Sequence, residues 1–237
     1  MPIKLEEVAY RDGETPLTGV LVDDADAGKR PGILLVHGGG GLDVRARGEA
    51  QRYAGLGYTV FACDMFGAGV AGDRERVLAV VTRLRNDPDT LVRRAQAGLS
   101  VLSSQRSVNG RFGAVGFCFG GMTVITLARS GADYRGVVSM HGSFKTSRPA
   151  QPGVVTASVL ACHGALDPHV PMADVAALID EFDAAAVDYQ VIVYGGAMHG
   201  FTHANAVPGA IPGVEYNALA DQRSFAAATA FFAEVLG

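Results

Sequence analysis

The chain has 237 residues, a net charge of −4, and is 49% hydrophobic and 19% charged. That composition is globular, long enough for one sizeable core, and it excludes a disordered or fibrous chain. The acidic balance offers no basic face to nucleic acid, no apolar run is long enough to span a bilayer, and the start, MPIKLEEVAYRDGETPLTG, lacks the apolar core of a signal peptide. The expectation is a cytoplasmic protein with no nucleic-acid or membrane partner, a monomer or a homodimer. Three cysteines, Cys63, Cys118 and Cys162, are too few and too odd in number for a disulfide framework, and no Cys-x-x-Cys is present to hold a metal.

In chain order, VAYRDGETPLTGVLV reads as two strands around a polar turn. GILLVHGGGG is a wholly apolar run ending in glycines, the pattern of a strand buried on both faces. VRARGEAQRYAGLGY follows as a helix with apolar Ala50, Tyr53, Ala54 and Leu56, ended by Gly57, with Asp43 as its N-cap. YTVFACD is the next buried strand. The helical pattern from Asp73 to Ser104 is broken at NDPD, so two helices are expected. GRFGAVGFC is a strand, FGGMTVITLARSG a helix closed by Gly131, and YRGVVSMHG and ASVLACHG two more strands. MADVAALIDEFDAAAV is a helix and YQVIVYGG a last strand. After an irregular stretch from Phe201 to Val214 that carries Pro208 and Pro212, NALADQRSFAAATAFFAEVL closes the chain as an amphipathic helix. Apolar strands alternating with helices imply one α/β domain over residues 1–237, a mostly parallel sheet of about eight strands flanked by helices on both faces.

Gly116-Phe117-Cys118-Phe119-Gly120 places a nucleophile between glycines where a strand becomes a helix. That is the context of a nucleophile elbow, a sharp turn in which larger flanking residues would collide with strand and helix. The helix N-terminus favours a thiolate, and the Phe119 N–H would face the oxyanion on an attacked carbonyl. Cys63 and Cys162 lie inside buried strands and read as packing residues. A nucleophile of this fold takes its acid and its histidine in that chain order. Asp167 in CHGALDPHVP and His199 in YGGAMHGF each follow a strand, on the sheet edge where α/β ligands bind. The roles follow: Cys118 attacks, His199 carries the proton and Asp167 orients the imidazole.

GFCFGG, HGALDPHVP and YGGAMHGF, with LGYTVFACDMFGAG and GVVSMHG, resemble the dienelactone hydrolase family of the α/β-hydrolase superfamily over almost the whole chain. The resemblance implies a Cys118, Asp167, His199 triad and a second oxyanion N–H from Gly39 in the HGGGG loop, beside that of Phe119. Two features depart from it. The family's glutamate after the histidine that ends the third strand is replaced by Gly38, so the thiol loses that route of activation. The two arginines that grip a substrate carboxylate are replaced by Ala68 and His203, with Arg45 and Arg47 as other cations nearby in sequence. Phe66, Phe117, Met140, Phe144, Met198 and Phe201 fall near the strand ends as candidate lining of an apolar pocket. Of the six histidines, His37, His141, His163, His169, His199 and His203, the pair His199 and His203 stands four apart, but the loop around them has no helical pattern to place both on one face, and no metal is expected. The expected activity is hydrolysis of an ester, lactone or thioester of a small apolar substrate, through an acyl-thioester and without cofactor or metal. Two alternatives stay open: a binding protein that kept the fold and lost turnover, and an acyltransferase on the same scaffold.

Overall fold

A computed structural model describes residues 3–24, 28–207 and 209–237; Pro208, read above as part of the loop before the last helix, lies outside the described residues. The hairpin β1 (Lys4–Asp12) and β2 (Thr15–Asp23) pairs antiparallel from Asp12↔Thr15 outward. Its turn puts Gly13 at φ 57°, a backbone conformation glycine enters without a Cβ clash. β3 (Arg30–Val36) and β4 (Thr59–Cys63) pair parallel and have no exposed residue, as their unbroken apolar runs require. Between them α1 (Val44–Ala54) starts at Asp43, whose carboxylate accepts the Ala46 N–H at 2.8 Å. α1 ends at Gly55 instead of the expected Gly57, because the next two amides, Leu56 and Gly57, turn to the Tyr53 and Ala54 carbonyls three residues back instead of four; Gly57 takes a left-handed φ of 94°.

The NDPD break separates α2 (Arg74–Asn86) from α3 (Pro88–Ser103). Asp87 caps α3 through the Thr90 N–H at 3.0 Å, and Pro88 occupies a first-turn position where its missing N–H costs nothing. Then follow β5 (Val108–Phe117), α4 (Phe119–Arg129), β6 (Gly136–Met140), β7 (Ser158–Gly164), α5 (Met172–Ala184), β8 (Tyr189–Tyr194) and α6 (Ala218–Leu236). The strands form one mostly parallel sheet in the order β1-β2-β4-β3-β5-β6-β7-β8, with β1 and β2 antiparallel at its start.

The chain divides into two compact units, residues 1–114 and 115–237, with the division falling inside β5. The first is built on Leu34, Leu35, Tyr53, Phe61 and Leu91, all essentially inaccessible to solvent. Within it the buried Asp12 receives Arg93 at 2.7 Å and the equally buried Arg94 at 3.0 Å. The second is built on Val137, Val138, Leu160, Phe182 and Phe232. There the buried Arg129 grips Glu181 at 2.8 and 2.7 Å. Parallel registers Met140↔Cys162 and Gly164↔Tyr194 bring the C-terminal ends of β6, β7 and β8 to one edge. Among the described residues no helix is long and apolar enough to cross a membrane.

Candidate active site

The elbow is set by close backbone approach. A Cβ on Gly116 would overlap the Gly120 carbonyl, so only glycine lets β5 turn directly into α4. One on Gly121 would stand 2.8 Å from the Gly142 Cα, so α4 starts hard against the end of β6. Between strand and helix, Cys118 is held at φ 54°, ψ −111°. Such a backbone costs a residue with a side chain about 1–3 kcal/mol and persists only where its surroundings impose it. Cys118 occupies the N-cap position of α4 and makes no side-chain cap bond, leaving its partly accessible thiol directed to other work.

Asp167 lies in the turn after β7 and His199 in the turn after β8. The two turns are stitched together: the Ala165 N–H donates to Tyr194 O at 3.0 Å and the Leu166 N–H to Ala197 O at 2.9 Å. His199 is held from its other side, its N–H donating to Gly213 O and its carbonyl accepting from the Glu215 N–H. The result is one continuous row. His199 Nε2 is 3.0 Å from Cys118 Sγ, and His199 Nδ1 is 2.7 Å from Asp167 Oδ2. The other Asp167 oxygen accepts the His169 and Val170 N–H groups at 2.8 and 3.1 Å.

These contacts set the charges. Burial alone would push the Asp167 carboxyl up, but the His199 hydrogen bond and charge, with the two backbone amides, hold it below the usual carboxylate range. Burial alone would pull His199 down. Hydrogen bonds and charge attraction from Asp167 and Cys118 overcome it and raise the imidazole to about 10. His163, at the end of β7, is pushed the other way by burial and stays neutral. The row is thus built for a charged His199 between two acidic groups.

A residue that the sequence reading considered only for metal binding joins this site. His141, at the end of β6 and 1% exposed, accepts the Cys118 N–H at Nδ1 over 3.2 Å. Its Nε2 is 2.9 Å from Thr202 Oγ1, and its ring meets the His199 ring edge-on at 5.3 Å. The signal for it was a polar residue ending the apolar run GVVSMHG. His169 approaches His199 from elsewhere, ring centroids 5.2 Å apart, and is fastened to Pro212 O at 2.9 Å. Of the expected pocket residues, Phe117 and Phe201 pack on His141. Phe144 lies by His163, Met140 gives its carbonyl to the Cys118 N–H, and Met198 is half-buried beside His199. Phe66 is buried in the first unit against His37, and Gly39 is exposed in the loop after β3. Arg47 is taken up by Glu7 at 2.6 Å and Leu42 O. Among the described residues no three His, Cys, Asp or Glu side chains form a metal-holding group.

A mostly parallel eight-stranded sheet flanked by helices, with cysteine, histidine and aspartate in a hydrogen-bonded row beyond its strand ends, is that of an α/β hydrolase. Residues 17–236 match the dienelactone hydrolase family, and the chain belongs to that family and is a hydrolase. Among solved structures it is similar to m3DLH, at 36% identity and TM-score 0.92 over 99% of both chains. It is equally similar to a dienelactone hydrolase-like promiscuous phosphotriesterase from metagenomic libraries, 36% identical with TM-score 0.92 over 100% of both. A carboxymethylenebutenolidase homolog of Pongo abelii is 27% identical over 183 residues, 75% of this chain and 72% of that one.

Proposed function

We propose that the protein hydrolyses an ester, lactone or thioester of a small apolar substrate, with Cys118 as nucleophile, His199 as proton carrier and Asp167 as the acid that orients it. The observation that carries this reading is the unbroken row from Sγ through the imidazole to the carboxylate, 3.0 and 2.7 Å long at its two joints. Because Gly38 replaces the family's glutamate, the thiol proton has to rest elsewhere, and the raised basicity of His199 gives it a place before substrate arrives. The thiolate attacks the carbonyl carbon. The oxyanion so formed takes a hydrogen bond from the Phe119 N–H at the start of α4. As the tetrahedral species collapses, the carbon–leaving-group bond breaks and His199 Nε2 protonates the departing group, leaving an acyl-thioester on Cys118. Water then gives a proton to His199 and attacks that carbonyl. The second collapse frees the acid and returns the thiolate–imidazolium pair. With Ala68 and His203 standing in place of the family's two carboxylate-gripping arginines, an uncharged acyl group is favoured over a carboxylate-bearing one. We read residues 1–237 as one working domain, since β5 runs unbroken through positions 114 and 115, and its site, dependent on a free thiol, suits the reducing cytoplasm.

The test is turnover of a short-chain nitrophenyl ester. Cys118→Ala is expected to lose roughly 10³-fold or more while remaining folded; an unchanged rate would falsify the assignment. A second reading is supported by the phosphotriesterase relative that this chain matches along its whole length. A nitrophenyl phosphotriester assayed beside the ester decides whether the same thiol also attacks phosphorus. Turnover of neither, with the thiol still acylated by activated esters, would point to a binding protein, and ester products formed with added alcohols to an acyltransferase.

A further inference from the structure

We infer that His141 is a positioning residue that sets the distance between the proposed nucleophile and its histidine, by bonding at once to the elbow and to the loop that carries His199. The inference rests on the reading of Cys118 and His199 given above. The strained Cys118 backbone needs an external hold, and its N–H has two acceptors, Met140 O at 2.9 Å and His141 Nδ1 at 3.2 Å. Accepting at Nδ1 puts the proton of the neutral ring on Nε2. That N–H therefore donates to Thr202 Oγ1, three residues beyond His199, at 2.9 Å. One flat ring thus spans the two segments whose separation fixes the 3.0 Å sulfur–nitrogen contact. Its faces and edges are held by His199, at 5.3 Å between centroids, and by the fully buried Phe201 at 5.1 Å. The backbone is committed to the same end. His141 itself has φ 42°, and a Cβ on the next residue, Gly142, would stand 2.5 Å from the Gly121 carbonyl carbon at the start of α4. His141 and Cys118 are thus two strained residues back to back, joined by the hydrogen bond between them.

His141→Asn keeps an acceptor where Nδ1 stands and loses the donor to Thr202; His141→Gln keeps the far donor and loses the acceptor for Cys118. Both, with Thr202→Val and Thr202→Ser, are measured for ester kcat and KM, thermal stability, and the rate of Cys118 alkylation by iodoacetamide. The native protein reports Cys118 in the last assay, because Cys63 and Cys162 are buried. Each His141 variant and Thr202→Val are expected to lose roughly 10- to 100-fold in kcat, the scale of a misplaced reacting pair, with KM nearly unchanged and alkylation slowed in parallel. Thr202→Ser is expected to recover most of what Thr202→Val loses. Combining His141→Asn with Thr202→Val should cost little more than the worse single change, since both cut one connection. Rates within about twofold of native, or losses that only track the unfolded fraction, would overturn the inference. Should the His141 variants not fold, the contrast between Thr202→Val and Thr202→Ser decides it alone. A Cys118→Ala control separates the two readings: if it keeps the native rate, the nucleophile assignment fails, and if it is inactive while His141 and Thr202 variants are native-like, only the positioning role fails.

Discussion

At the scale of single residues, the mechanism proposed above has His199 answer for the acid that Gly38 replaces. Its raised basicity, to about 10, keeps the imidazolium through neutral pH. The expected ring-proton titration by NMR therefore lies well above the ordinary histidine range. Asp167→Asn should move it down toward 6.5 and, on the proposed mechanism, cut ester turnover by about 10²- to 10⁴-fold, as loss of an orienting carboxylate does in Ser-His-Asp hydrolases. A midpoint unmoved by Asp167→Asn would mean that the carboxylate does not hold the charge. The same shift acts on stability. A folded-state pKa above the unfolded one stabilises the native protein fully below about 6.5 and loses that stabilisation as pH rises toward about 10. Native and His199→Gln proteins should thus differ most in Tm in mild acid and least in strong alkali. The residues of the row were legible in the sequence because each follows its own apolar strand, and Cys118 is framed by glycines whose need is steric. His141 was not legible as a partner of Cys118. Its bonds run to a backbone N–H 23 positions away and a hydroxyl 61 positions away, and no spacing encodes either.

At the scale of elements, sequence and structure agree where one local cause dominates. Asp87-Pro88 ends one helix and starts another because the proline fixes the backbone of a first turn and the aspartate satisfies an amide that the helix cannot. Asp87→Ala should cost about 1 kcal/mol, a fall of roughly 2–4 °C in Tm at this chain length, and leave ester turnover unchanged. A Tm equal to the native value would show that the amide finds another acceptor. Agreement weakens where two local causes compete or none acts. Gly55 and Gly57 can each end α1, and the hydrogen bonds of the turn select the first. β1 begins at Lys4 although its first four residues are exposed and charged or solvent-facing. Only the pairing of Lys4 with Asp23 makes them strand, and the strand read from apolar patterning starts at Val8.

At the scale of the whole molecule, the contacts that tie distant segments together are the least visible in the sequence. Asp12, ending β1, meets Arg93 and Arg94 of α3 across more than 80 positions. Burial would raise the Asp12 carboxyl, yet the two guanidinium groups hold it low. Asp12→Ala would leave Arg94 buried without its carboxylate and should cost about 3–5 kcal/mol in urea unfolding. The advantage of the native protein over this variant should fade as acid protonates Asp12. A cost below about 1 kcal/mol would mean that Arg94 regains water or another acceptor, beyond the Met65 carbonyl it already holds.

The glycine contacts at the elbow also bear on how this enzyme can change. At positions 116, 121 and 142 even a methyl group would meet neighbouring backbone at 2.8 Å or less. Those positions are closed to substitution, both in natural drift and in a mutagenesis library. The frame around the thiol can only be inherited whole, so new substrate preferences have to come from the side chains that surround it.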